Sequence, residues 1–77
     1  MGIERKGNWI QTTTGSWVNA RHLDLIEVAE TDGVWVVRAW NALQPQVDPY
    51  ILSEVKTEAT ARKQMDALVA ELGASTS

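Results

Sequence analysis

The dipeptide Asp32-Gly33 restricts this chain more than any other feature. It stands between two runs rich in apolar and β-branched residues, Leu23 to Glu30 and Val34 to Trp40. A two-residue hairpin turn of type I′ needs positive φ at both central positions, and Asp-Gly supplies them at little steric cost. The two runs are therefore expected to fold back on one another as an antiparallel pair. In the first, Ile26 and Val28 alternate with Glu27 and Ala29, which gives two unlike faces. The second is apolar on both faces except at Arg38, the pattern of a strand covered on both sides or lying at an interface.

Shorter strands are expected on either side of this hairpin. Trp9 to Thr12 is aromatic and β-branched, Thr13 to Ser16 has turn chemistry around Gly15, and Ser16 to Asn19 is a short second strand. Ala20 to His22 reads as a connecting bend. Asn41 to Pro49 holds both prolines and no period, so it reads as a loop. Tyr50 to Val55 completes five strands, with either Tyr50 and Leu52 or Ile51 and Val55 pointing inward, because a one-residue slip exchanges the faces.

The last third is helical. Thr57 suits an N-cap, and Glu58 places negative charge in the first turn. Ala61, Met65, Leu68, Val69 and Leu72 recur at i, i+4, i+7, i+8 and i+11 as an apolar stripe. Glu58 and Arg62 are spaced for an ion pair on the outer side. Gly73 is placed to end the helix, leaving residues 74–77 as a short disordered tail. The expected fold is thus α+β: one domain over residues 1–73, an antiparallel meander of about five strands in order 1-2-3-4-5, with one amphipathic helix on one face.

Such an arrangement leaves a surplus of apolar surface. One helix covers one face of a sheet, yet Val34, Trp35, Val36, Val37, Ala39 and Trp40 cannot all point the same way. Either the sheet curls into a partial barrel, or its second face meets another subunit. At 77 residues the chain can bury only roughly 60% of the surface its unfolded form exposes, so stability is thin.

Several functions find no support. With no cysteine there is no disulfide framework, thiolate site or cysteine nucleophile, which fits a cytoplasmic setting. No apolar stretch of signal-peptide type follows Arg5-Lys6, and no run approaches the ~20 residues a membrane helix needs. A net charge of −3 argues against generic binding to a phosphate backbone. His22, the single histidine, has no second ligand for a metal and no nucleophile to serve, so it reads as a solvated loop residue. Asp24, Glu27, Glu30 and Asp32 lack the spacing of a calcium loop and read as a polar face that discourages strand-to-strand aggregation. Thr12, Thr13 and Thr14 have no nearby base, and no glycine pattern cradles a phosphate. Neither enzyme activity nor a cofactor or metal is expected.

The tryptophans Trp9, Trp17, Trp35 and Trp40 remain. Two or three of them are expected in the core of so small a domain. The sharper reading is a binding patch on the uncovered sheet face, with Trp40, Arg38, Val36 and Val34 as its residues, since Trp40 shares strand parity with Arg38. The occupant would be a second copy of the chain or a host protein. The alternative is a nucleic-acid accessory protein that uses strand aromatics with Arg21, Arg38 and Lys56.

Trp9-Ile10, Gly15, Val18-Asn19, Ile26-Glu27-Val28, Asp32-Gly33, the strand to Trp40 and Thr57-Glu58-Ala59-Thr60-Ala61 together resemble a loose class of small, functionally uncharacterised proteins of bacteria and their phages. The alanine- and threonine-rich style resembles that of actinobacteria and actinophages. The resemblance implies a meander followed by a helix. It implies no functional residue. Its prolines in the loop and its tryptophan content set this chain apart from that class.

Overall fold

The computed structural model describes residues 3–41 and 48–76. The order of elements is β1 (Arg5–Lys6), β2 (Trp9–Gln11), β3 (Trp17–Asn19), a 3-10 turn (Ala20–His22), β4 (Leu23–Thr31), β5 (Val34–Asn41), β6 (Tyr50–Val55) and α1 (Glu58–Thr76). The fold is α+β, with antiparallel strands and one C-terminal helix. The strands do not form a single five-stranded meander, however. They make two three-stranded sheets, β1-β2-β3 and β4-β5-β6. The break falls at the 3-10 turn, where the Asn19 side chain accepts from the Arg21 N–H at 3.0 Å and turns the chain out of the first sheet. One backbone bond, Thr13 N–H to the Ile51 carbonyl at 2.8 Å, ties the small sheet to the β6 edge.

The Asp-Gly turn forms as its chemistry requires. Asp32 has φ 52° and Gly33 φ 79°, and Thr31 pairs with Val34 across them. The strand after the turn runs one residue past Trp40, to Asn41, and most of the expected loop lies outside the described residues. The two-residue β1 adds a strand too short to leave a pattern in the sequence.

Cross-strand register assigns the two faces of the larger sheet. Trp35, Val37 and Ala39 lie opposite Glu30, Val28 and Ile26 on one side and Val55, Ser53 and Tyr50 on the other. This face receives Ala61 and Leu68 of α1 and Ile10 of β2, which with Val37, Ala39 and Leu52 form the buried core. Helix and small sheet therefore bring their buried residues to the same face. Val34, Val36, Arg38 and Trp40 point the other way, beside Thr31, Ala29, Glu27 and Leu25.

A bulge removes the ambiguity over the last strand. Val37 pairs with Ser53 but Arg38 pairs with Ile51, so Leu52 is an extra residue on β6. Tyr50 and Val55, five positions apart, can then both face the core, and Leu52 is buried with them. Neither simple alternation describes the strand.

In α1, Thr57 Oγ1 accepts from the Thr60 N–H at 3.3 Å, the N-cap bond, and Arg62 donates to Glu58 at 3.0 Å. Two details of the helix differ from expectation. Val69 is 50% exposed: it lies roughly 70° around the helix from the line of Ala61, Met65, Leu68 and Leu72. Helix also continues through Gly73 to Thr76, and Gly73 has no positive φ, so it does not end the helix. A glycine weakens a helix interior but does not forbid it.

Candidate functional site

Two surfaces carry aromatic side chains outward. The first is the helix-free face of the larger sheet. Val34, Val36, Arg38 and Trp40 share it, as strand parity indicates, but they are not bare. Arg38 lies over the Trp40 ring, 4.9 Å from its centroid, and its Nε donates to Glu27 Oε1 at 2.7 Å. Val36 is only 6% exposed, and a shallow hollow lined by Thr31, Val34, Val36, Arg38, Ile51 and Glu54 surrounds it. Trp40 itself is half-buried. Leu25, opposite Trp40, is the large apolar residue most open to solvent here, at 48%. The Arg38 side chain thus lies over part of the apolar surplus for which the sequence left either a curled sheet or a second subunit.

The second surface is on the small sheet. Ile10 and Val18 are paired and face the core. Their neighbours Trp9, Gln11, Trp17 and Asn19 must then point outward, because successive side chains alternate. Trp9 is 50% exposed and Trp17 39%. Lys6 pairs with Trp9 and shares this outward face, and its Nζ stands 5.8 Å from the centroid of the Trp17 ring. Arg5, of opposite parity, points inward and reaches Glu71 of α1 at 3.1 Å.

Where the small sheet meets the start of β4 and β6, Trp9, Trp17, Asn19, His22, Asn41 and Tyr50 border a cleft of about 250 Å³. A second hollow of about 260 Å³ adjoins it, lined by Thr12, Thr13, Thr14, Ser16, Pro49, Tyr50 and Ile51. Tyr50 belongs to both. Neither indole N–H of Trp9 or Trp17, nor the Tyr50 hydroxyl, finds a hydrogen-bond partner among the described residues. No carboxylate lines the cleft.

Expectation and structure part over the tryptophans. None of the four is fully buried: only Trp35 packs against the core, and it does so while half-buried. Trp9 and Trp17 are the most exposed, not Trp40. The signal was present in the alternation Trp9-Ile10-Gln11 and Trp17-Val18-Asn19, which places each indole opposite an aliphatic neighbour. The three cations of the nucleic-acid alternative are not gathered. Arg38 is engaged by Glu27 and Trp40, Arg21 lies on the 3-10 turn, and Lys56 lies between β6 and α1. His22 is exposed, as expected of a loop histidine, but it borders the aromatic cleft. Among the described residues, no three His, Asp or Glu side chains are grouped as a metal site requires, and no helix is long and apolar enough to cross a membrane.

No family model matches the chain, and neither the curated proteins nor the solved structures contain a significant match to it. Any functional reading rests on the geometry just described.

Proposed function

We propose that this protein acts by binding, without catalysis, and that its binding surface is the outward face of the small sheet with the cleft beside it. One observation carries the reading: two indoles, Trp9 and Trp17, stand exposed on the same face of a three-stranded sheet, at the mouth of a cleft completed by Tyr50. Exposed tryptophan is disfavoured in water, and its large rigid face with one N–H donor is the side chain most enriched where partners dock. The intracellular setting and the kinship with small bacterial and phage proteins belong to this proposal as well.

The test uses ¹⁵N-labelled protein, in which four tryptophans give four separate indole N–H signals. A panel of probes (a proline-rich peptide, a single-stranded oligonucleotide, an oligosaccharide) is added in turn. The reading expects at least one probe to shift the Trp9 and Trp17 signals in a saturable way, leaving Trp35 unmoved. If no probe shifts either signal, the surface is not a general aromatic docking site and the reading fails.

A second reading is favoured by Leu25, 48% exposed beside Trp40 on the helix-free face. Here two copies meet through Trp40, Arg38, Val36 and Val34. Light scattering decides it: a dimer that Leu25→Glu converts to monomer supports self-association, and a monomer at all concentrations excludes it.

A further inference from the structure

The cleft on the small sheet has a chemistry that narrows its occupant. Aromatic rings make up half of its lining, and its two indoles can only donate. Trp9 and Trp17 each offer an indole N–H, Tyr50 offers a hydroxyl, and none of the three has a partner among the described residues. Asn19 Oδ1 accepts from the Arg21 N–H, and its amide N–H₂ adds two further donors at the cleft. A partner fitted to this cleft should therefore be flat-sided, apolar and rich in free acceptors.

An extended polyproline II segment has those properties. It has three residues per turn and no internal hydrogen bonds, so its carbonyls are all free to accept, and its pyrrolidine rings pack on aromatic faces. Because it is extended before it binds, little conformational entropy is lost. The two adjoining hollows, of about 250 and 260 Å³ on either side of Tyr50, offer successive seats along such a strand.

Charge narrows the choice further. Lys6 stands over Trp17 with no ion pair among the described residues, and Arg21 and His22 follow on the adjacent turn. Glu4 shares the outward face, alongside Gln11, and like Lys6 and Arg21 it stands outside the residues that line the cleft; Lys6 is the charge that meets a cleft ring, at Trp17. A cationic ligand would meet Lys6 unfavourably, whereas a carboxylate beside the prolines would be drawn to it. Single-stranded nucleic acid would also stack on the indoles, but two nearby cations on a chain of net charge −3 give it little electrostatic support. We infer that the Trp9–Trp17–Tyr50 cleft receives a proline-rich segment of another protein, in polyproline II conformation, with an acidic residue flanking the prolines next to Lys6. This inference rests on the binding surface proposed above and assigns its ligand class.

The experiment titrates the intact protein with decaproline, with decaproline carrying two glutamates at one end, and with a thymidine 20-mer, following tryptophan emission. Both proline peptides should give a saturable change, and the glutamate peptide should bind more tightly at low salt. Trp9→Ala and Trp17→Ala should each weaken binding by roughly fivefold or more, as expected for central aromatic contacts. Lys6→Gln should remove the preference for the glutamate peptide without abolishing binding. Trp9→Phe keeps a ring but no donor and should fall between Trp9→Ala and the wild type, which separates loss of contact from loss of fold. Leu25→Ala, on the other sheet, should bind as the wild type does. No saturable change with either peptide up to millimolar concentration would overturn the assignment. If only the oligonucleotide saturates, and does so in a salt-dependent way, the surface stands and the ligand class is nucleic acid instead. If no probe acts, the surface fails together with its ligand.

Discussion

Arg38 lies over Trp40, 4.9 Å from the ring centroid, and is held there by Glu27 on the neighbouring strand. The contact explains how a strand that is apolar on both faces exists in a small domain with helix and small sheet gathered on one side. The guanidinium and its stem cover the outer face, and the carboxylate fixes the guanidinium. Both members of the ion pair are about one-third exposed, so the pair itself contributes modestly.

Replacing Arg38 with Ala should lower stability by roughly 1–2 kcal/mol, combining a partly exposed cation–π contact, a screened ion pair and lost packing. A domain of this size loses about 4–8 °C in melting temperature per kcal/mol. The same substitution uncovers Trp40 and Val36, so the variant should also aggregate at concentrations where the wild type does not. Thermal denaturation with light scattering on the same sample reads both effects.

Ile10 is the residue by which the small sheet enters the core, buried with Val37, Ala39 and Leu52. Ile10→Val should cost roughly 0.5–1.5 kcal/mol and Ile10→Ala roughly 2–5 kcal/mol. A protein with thin stability is then expected to be largely unfolded as the alanine variant, which urea titration of both variants measures.

The helix gives one prediction that agrees with the sequence stripe, at Leu68, and one that departs from it, at Val69. Val69→Lys should change stability by no more than about 0.5 kcal/mol, while Leu68→Ala should cost roughly 2–5 kcal/mol. Their neighbouring positions make the comparison a direct reading of which way α1 faces.

Gly73 separates two accounts of the helix end. Within a helix, with open space where a Cβ would go, Gly73→Ala should raise stability by up to about 1 kcal/mol. Were Gly73 a left-handed terminating residue, the same change would destabilise. Chemical denaturation of the two proteins gives the sign.

How much of this was legible in the sequence varied with the physics behind each feature. The Asp32-Gly33 hairpin, the Thr57 cap and the Glu58–Arg62 pair were legible because each depends on residues close in the chain. The division into two sheets was not, since it depends on a side-chain bond from Asn19 that redirects the chain at a turn any meander could contain. The facing of Tyr50 and Val55 was hidden for a related reason: a bulge at Leu52 obeys cross-strand register, which a single strand's pattern does not record. At the candidate site, Trp40 and Arg38 were placed correctly on one face by parity. Two or three of the four indoles were expected in so small a core, and nothing in the composition says which. In this fold Ile10 and Val18 take the inward positions, and the indoles are left outside.

The most direct measurement is acrylamide quenching of tryptophan emission in the wild type and in a Trp9→Phe/Trp17→Phe double variant. The account predicts that the wild type is readily quenched, with emission near that of hydrated indole. The double variant should shift to shorter wavelength and lose most of its quenching, since Trp35 packs on the core and Trp40 lies beneath Arg38. Equal quenching in the two proteins would place the open indoles elsewhere, and would remove the small-sheet surface as the binding site.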